Sequence, residues 1–216
     1  MVIPVRLMNI QRFSTCCFFL FFSVPGWVGL TMASARPAGS VIIDPGHGGK
    51  DPGSLGFGLK EKNLTLDLAK KLESILKRRG IAASLTRQSD VFVPLEKRAR
   101  LANQSSHTIF VSLHFNAHVD RSIGGTETFY WPGSTTGRRL ASYVQGELGR
   151  RLAARNRGFK PEKLKVLETS KGTAILVECG FISNRWECQR CGADWYRMIL
   201  AEEIAQGIQR YLAERK

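Results

Sequence analysis

The sequence lacks the features that mark several special classes of protein. It has no internal repeat, no low-complexity tract and no sign of an appended domain. Its 216 residues suffice for one domain with a full hydrophobic core, whereas two independent domains would both be small. A content of 43% hydrophobic and 23% charged residues excludes disordered, collagenous and multi-span membrane chains. We therefore expect one globular domain.

Cysteine is scarce, and its arrangement does not build a structural metal site. Of the five cysteines, Cys16 and Cys17 fall in the N-terminal segment, which leaves Cys179, Cys188 and Cys191. Cys188-Gln-Arg-Cys191 has the spacing of half a zinc ribbon, but no second pair accompanies it. In an oxidising compartment the simplest arrangement is one disulfide and one buried thiol. The sequence leaves this pairing open.

Acidic residues are also few, since 18 of them face 32 lysines and arginines for a net charge of +14. Such an imbalance favours anionic partners, either nucleic acid or the polymers and lipids of a cell envelope. The N-terminal segment distinguishes these partners. Arg6 and Arg12 precede the apolar run 16–24, and Ala33-Ser-Ala35 follows as a small-x-small cleavage site.

We therefore predict a signal peptide at residues 1–35 and a single folded domain at 36–216. The alternative is an uncleaved anchor, but Pro25 and Gly26 interrupt the apolar stretch, and an anchor needs about 20 apolar residues. We expect an exported monomer of the periplasm or cell envelope, without a stable membrane span after cleavage. Its expected partners are peptidoglycan and anionic envelope polymers, not nucleic acid.

Strand and helix patterns alternate along the rest of the chain. Short apolar runs predict strands, and apolar residues spaced three and four apart predict helices. The predicted strands are 41–44, 81–86, 108–113, 126–131 and 174–177, and the predicted helices are 62–79, 94–103, 138–154 and 194–215. This alternation predicts a single-domain α/β sandwich, in which helices on both faces flank a mostly parallel mixed sheet.

Four polar residues lie near the carboxyl ends of predicted strands, where sheets of this kind form their ligand-binding sites. His47 follows the first strand in a glycine-rich loop, Glu61 begins the first helix, and His114 and Glu178 end two later strands. Two imidazoles and a carboxylate with one open position are the usual ligands of a catalytic zinc ion in hydrolases. Glu178 then serves as the general base. His107 and His118 stay outside this predicted site because His-Glu-x-x-His is absent.

Five ordered motifs extend this pattern over nearly the whole exported part of the chain. They are Ile43-Asp-Pro-Gly-His-Gly-Gly49, Gly58-Leu-Lys-Glu-Lys62, Thr86-Arg87 with Asp90, Ser112-Leu-His-Phe-Asn-Ala117 and Val177-Glu-Cys-Gly-Phe-Ile-Ser-Asn184. With these motifs the sequence resembles the zinc-dependent N-acetylmuramoyl-L-alanine amidases of the amidase-3 type.

The resemblance implies that His47, Glu61 and His114 bind one zinc ion and that Glu178 is catalytic. It also implies the substrate, the amide between N-acetylmuramic acid and L-alanine of the peptidoglycan stem peptide, cleaved during wall remodelling or cell division. Phe115 departs from the small residue often found there, and we expect its ring to narrow the groove. Residues 131–164 leave little room for an inhibitory helix, which predicts an uninhibited site.

Other functions remain as alternatives. The metal chemistry also fits a zinc carboxypeptidase or endopeptidase of the same wall, and a domain that has lost its activity would be a peptidoglycan-binding module. Ser74-Ile-Leu-Lys77 has the Ser-x-x-Lys spacing of penicillin-binding acyl-transferases, with Lys171-Gly-Thr173 as a loose third motif. No Ser-x-Asn element accompanies them, so this alternative is weak.

Overall fold

The computed structural model describes residues 40–103 and 108–214, which form an α/β domain. The predicted signal peptide and His107 lie outside the described residues. The strands are β1 (Val41–Pro45), β2 (Leu55–Gly56), β3 (Leu59–Lys60), β4 (Ala83–Leu85), β5 (Ile109–Asn116), β6 (Thr126–Tyr130), β7 (Asn156–Pro161) and β8 (Thr173–Phe181). The helices are α1 (Glu61–Arg78), α2 (Leu95–Ala102), α3 (Thr135–Arg151), α4 (Lys165–Glu168), α5 (Arg185–Gly192) and α6 (Asp194–Glu214).

Six strands form one mixed sheet in the order β4-β1-β5-β8-β6-β7. The first four are mutually parallel, β6 runs antiparallel to β8, and β7 runs parallel to β6. The predicted mostly parallel sheet is thereby confirmed. The short strands β2 and β3 pair only with each other, as a hairpin outside the main sheet.

Both faces of the sheet are covered, as the apolar runs predicted. On one face, alternate strand residues such as Val41 and Ile43 pack with helices α1, α3 and α6 in a large core. On the other face, Ile42 and Phe110 pack with residues of α2 and α4 in a smaller core. Strands buried on both faces need no polar alternation, which explains their continuous apolar sequences. Among the described residues, no helix is both long and apolar enough to cross a membrane.

The main differences from the predicted elements lie at an exposed edge of the sheet and at the ends of two buried strands. Residues 156–160, which the sequence assigns to no predicted helix or strand, belong to the edge strand β7, whose largely exposed residues show no apolar alternation. Strands β5 and β8 also extend beyond their predicted ends, so His114 and Glu178 lie inside strands and do not close them.

The expectation that Phe115 narrows the groove is wrong. Its side chain is fully buried in the large core, while its neighbour His114 is partly exposed. Successive side chains of a strand point to opposite faces, so a bulky ring after His114 enters the core.

Candidate metal centre and catalytic site

His47 lies in the turn that follows β1, and its backbone conformation is unusual. Its φ angle is +60°, in the left-handed region that non-glycine residues seldom adopt. The Arg98 guanidinium donates from Nη2 to the His47 carbonyl oxygen over 2.7 Å. The ring is held as well, because His47 Nδ1 lies 2.8 Å from Asp51 Oδ2 in a hydrogen bond. The turn and Asp51 together fix the direction of the imidazole.

Glu61 brings the two histidines together. It is the first residue of α1, and its Oε1 lies 3.1 Å from His47 Nε2 and 3.0 Å from His114 Nδ1. One ligand atom from each of the three side chains lies within 4.8 Å of the others, and no other histidine, cysteine or acidic cluster of the described residues is this compact. Backbone N–H groups of Ser54 and Phe115 donate to the Glu61 carboxylate and fix its orientation.

Two glycines leave the space that these side chains occupy. A Cβ at Gly46 would lie 2.4 Å from Cε1 of His114, and a Cβ at Gly53 would lie 2.6 Å from both Glu61 Oε2 and the His47 ring. Neither position has room for a side chain. These glycines are therefore part of the site, because they let backbone pass directly against the three ligand side chains.

The three side chains influence each other's protonation. Burial disfavours the charged imidazole of His47, but the carboxylates of Glu61 and Asp51 outweigh burial and raise its pKa. Burial likewise disfavours the Glu61 carboxylate, but hydrogen bonds and charge from His114 and His47 hold its pKa well below the ordinary value. The cluster is thus an ionised carboxylate between two imidazoles, a donor set that suits a divalent cation such as zinc.

Glu178 lies on β8 beside this cluster. Its register partners are His114 on β5 and Glu127 on β6. Its Oε2 is buried and has no hydrogen-bond partner among the described residues. Burial, followed by the charges of Glu61 and Glu127, raises its pKa well above the ordinary value. A buried carboxyl without a partner beside a candidate metal-binding cluster has the environment of an acid–base catalyst.

A buried polar network fixes the backbone of the turn that carries His47. Asp44 is buried and accepts hydrogen bonds from Thr86 Oγ1, Arg98 Nη1 and Ser112 Oγ. Arg87 is also buried and donates to the carbonyl oxygens of Pro45 and Gly46. The network thus satisfies carbonyl groups that the turn removes from regular pairing.

The structure brings His47, Glu61 and His114 into one cluster with Glu178 next to it. His118 stays outside the cluster, and its Nδ1 accepts a hydrogen bond from the Asp120 backbone N–H. The sequence analysis did not identify Asp51 as the residue that holds the His47 ring, although its position four residues after His47 could have indicated this role. It also missed the buried Glu127, which Lys160 and Asn116 contact. Cys179, Cys188 and Cys191 are buried free thiols.

Comparison with known proteins identifies the family. The family model for N-acetylmuramoyl-L-alanine amidase matches residues 41–210, which is most of the chain and includes all four site residues. The chain belongs to the N-acetylmuramoyl-L-alanine amidase family. It is accordingly a hydrolytic enzyme, and the family's activity on peptidoglycan agrees with the resemblance seen in the motifs.

Individual amidases agree with this assignment over the same domain. The chain is 35% identical over 177 residues to the amidase LytC of Bacillus subtilis, covering 80% of this chain but only 35% of LytC. It is 31% identical over 190 residues to the germination-specific amidase of the same bacterium, covering 81% of this chain and 80% of that one. A crystal structure of an amidase from Clostridium difficile 630 has 38% identity and a TM-score of 0.80, covering 84% of this chain and all of that one.

Membership in the amidase family argues against the serine acyl-transferase, and the structure argues against it independently. Ser74 lies on the exposed side of α1, where its hydroxyl accepts a hydrogen bond from Arg78. Lys77 pairs with Glu73 over 2.7 Å. Neither side chain lies in the cluster around Glu61.

Proposed function

We propose that this chain hydrolyses the amide between N-acetylmuramic acid and L-alanine of the peptidoglycan stem peptide, with one zinc ion bound by His47, Glu61 and His114. The observation that carries the proposal is the three-residue cluster, with the carboxyl group of Glu178 on the neighbouring strand. Two imidazoles and one carboxylate are the donor set of hydrolytic zinc sites, in which the protein would leave one position open for water or substrate.

The residues of the chain then have separate roles. Zinc bound there would supply Lewis acidity toward the scissile carbonyl and would lower the pKa of a bound water toward about 7. Asp51 holds the His47 ring in place, and the Ser54 and Phe115 N–H groups hold Glu61. Glu178 accepts the proton of the attacking water and transfers it to the leaving amine.

We further propose that the enzyme works outside the cytoplasm, in the periplasm or cell envelope, as a monomer. The signal expected at residues 1–35 and the net charge of +14 support this location. Surface lysines and arginines would hold the domain to anionic wall polymers. Binding to purified sacculi that weakens steeply with added salt would support electrostatic attachment, and binding insensitive to salt would contradict it.

The site needs no activator in this proposal. The residues between Trp131 and Leu164 form helix α3 and the edge strand β7. Helix α3 packs against α6 and the sheet, and β7 pairs with β6. Within that described stretch, no further helix is inserted. The purified domain should therefore release products from peptidoglycan by itself. A strict requirement for an added activator protein would contradict this part of the proposal.

Mass spectrometry of the products from purified peptidoglycan, with and without a chelator, tests the reaction. An amidase releases intact stem peptides and leaves glycan strands with free lactyl carboxyl groups. A carboxypeptidase or endopeptidase, the alternative with the same metal chemistry, would instead cut within the peptides. Unchanged product release after complete removal of metal would contradict the zinc mechanism.

A further inference from the structure

Glu187 is a buried glutamate outside the candidate metal-binding cluster, and the chemistry above gives it no role. It lies in the first turn of α5, and only 7% of its surface is exposed. Its Oε2 accepts a hydrogen bond from the Phe181 N–H and its Oε1 from the Gly125 N–H, each over 2.7 Å. Phe181 is the last residue of β8, and Gly125 immediately precedes β6. One carboxylate therefore joins the end of β8 to the start of β6.

This connection lies where the regular pairing of β8 is interrupted. The β6–β8 ladder ends at the pair of Glu127 with Glu178. On the other side of β8, the register shifts directly after the pair of His114 with Glu178, so that Asn116 is opposite Phe181. Two residues of β5 thus span three of β8, which makes a bulge in β8. Within the described sheet, neither ladder gives residues 179 and 180 a register partner.

The surroundings of Glu187 fix the orientation of its carboxylate. The Asn184 side chain begins α5 by accepting hydrogen bonds from the Trp186 and Glu187 N–H groups. Arg190 Nη2 lies 3.5 Å from Glu187 Oε1. A Cβ at Gly124 would lie 2.8 Å from the same oxygen, so the loop before β6 passes directly against the carboxylate. Glu187 is therefore a rigid support for the two N–H groups that it accepts.

Glu178 depends on its backbone for its position. Its Oε2 has no hydrogen-bond partner in the described part of the chain, so this atom is not anchored by a contact of its own. Phe181 follows Glu178 by three residues, across the bulge. Hydrogen bonds to an ionised acceptor are stronger than those between neutral groups, and buried N–H groups that lose their acceptor are costly. Loss of the Glu187 carboxylate should therefore shift the β8 backbone close to Glu178.

We infer that Glu187 is a positioning residue of the hydrolytic site. Its carboxylate holds the β8 backbone across the bulge and thereby holds the Glu178 carboxyl group beside the cluster. The inference rests on the proposed function, because it requires Glu178 to be the base. Among the described residues, Glu187 has no hydrogen bond or ion pair with the three proposed metal ligands, so metal binding should not depend on it.

Turnover of soluble peptidoglycan fragments by the zinc-loaded protein tests this role. Glu187→Gln keeps the size of the side chain, but its NH₂ group cannot accept the second N–H. We expect kcat to fall about 10- to 100-fold, as for other lost supports of a catalytic group. KM should change by less than about twofold, because only the catalysed step is affected. Zinc content, measured by mass spectrometry, should not change.

Gly124→Ala provides the same test with the carboxylate retained. The new Cβ would displace Glu187 Oε1, so kcat should fall in the same direction by a smaller factor. Glu147→Gln is the matched control, because Glu147 is also a buried helix glutamate and pairs with Arg150 and Arg210. This control should lower the melting temperature and leave kcat unchanged. All rates are compared at a temperature at which circular dichroism shows every variant to be folded.

The double variant distinguishes positioning from a general loss of order. When Glu178→Ala has already removed the base, adding Glu187→Gln should lower the residual kcat by less than about twofold. Equal losses with and without the Glu178 side chain would overturn the inference. Unchanged kcat in both Glu187→Gln and Gly124→Ala would also overturn it.

The same variants separate this inference from the proposed function. If Glu178→Ala keeps full turnover, the proposed base is wrong, and Glu187 has no base to position. If Glu178→Ala loses turnover while Glu187→Gln keeps it, the proposed base stands and the positioning role is wrong.

Discussion

His114 and Glu178 are register partners on the adjacent parallel strands β5 and β8. A proposed metal ligand and the proposed base are therefore held by neighbouring strand backbones within a sheet that is buried on both faces. Positions on rigid strands are defined more sharply than positions on loops. The sheet therefore positions His114 and Glu178, whereas the turn after β1 positions His47 and the start of α1 positions Glu61.

Substitutions of the proposed metal ligands should abolish metal binding, whereas a substitution of the proposed base should abolish turnover alone. His47→Ala and His114→Ala should each lose the bound zinc, because two ligands hold it far less well than three. Glu178→Ala should keep zinc and lose about 10² to 10⁴ in turnover, the usual contribution of a general base. Metal content by mass spectrometry and muropeptide release measure the two effects. His118→Ala should keep its zinc, and full turnover in Glu178→Ala would disprove the proposed base.

Gly46→Ala should weaken metal binding without unfolding the protein. The new Cβ would lie 2.4 Å from Cε1 of His114, so the imidazole must move. We expect a loss of roughly 10- to 100-fold in zinc affinity, as for other disturbed supports of a ligand. Competition with a fluorescent chelator measures it.

Gly146→Ala is the control for that variant. Gly146 lies in α3, where an added Cβ would have open space around it, so alanine should raise stability by about 0.5–1 kcal/mol and leave zinc affinity unchanged. Equal zinc affinity in Gly46→Ala and the unchanged protein would show that His114 tolerates the displacement.

Arg98→Ala should be strongly destabilising. Its removal leaves the buried Asp44 carboxylate without its ion-pair partner and the His47 carbonyl oxygen without the Arg98 donor, while Arg87 still donates to Pro45. Breaking a buried ion pair from one side costs about 3–5 kcal/mol. Urea denaturation measures this loss, and the exposed Arg100→Ala on the same helix should change stability by less than about 0.5 kcal/mol. Similar losses in both variants would contradict the importance of the Asp44 network.

The metal-free protein should gain stability from Glu178→Gln, and the gain should depend on pH. Burial raises the pKa of Glu178 in the folded state, so the folded protein binds this proton more tightly than the unfolded chain does. Stability from this group is complete below the unfolded value of about 4.3 and is lost as pH rises through the higher folded pKa.

Glutamine does not titrate, so its advantage should be larger at pH 8 than at pH 5. Thermal melts in the presence of a chelator measure it, with about 2–4 °C expected per kcal/mol for a domain of this size. An advantage independent of pH would mean that the carboxyl group of Glu178 is not destabilised by burial.

The sequence predicted the parts of the molecule whose signals are local. Apolar runs identified β1, β5 and β8, and the positions near their ends identified His47, His114 and Glu178. The edge strand β7 was not predicted, because its exposed, polar residues lack apolar alternation. It forms a strand because it pairs with β6, and a local sequence pattern does not record such a long-range pairing. The role of Asp44 was not predicted for a related reason. Its hydrogen-bond partners Thr86, Arg98 and Ser112 come from distant parts of the chain.

The separate pairing of β2 with β3 leaves part of this hairpin free to change without altering the main sheet. The hairpin is fastened at its base, where the Glu61 N–H donates to the Ser54 carbonyl, and Gly56 must stay glycine because a Cβ would lie 1.9 Å from the Ile182 oxygen. Leu55 and Phe57 have largely exposed side chains and no such steric constraint. Substitutions at these two positions would therefore change the exposed surface of the hairpin and leave the main sheet, which carries His114 and Glu178, unchanged.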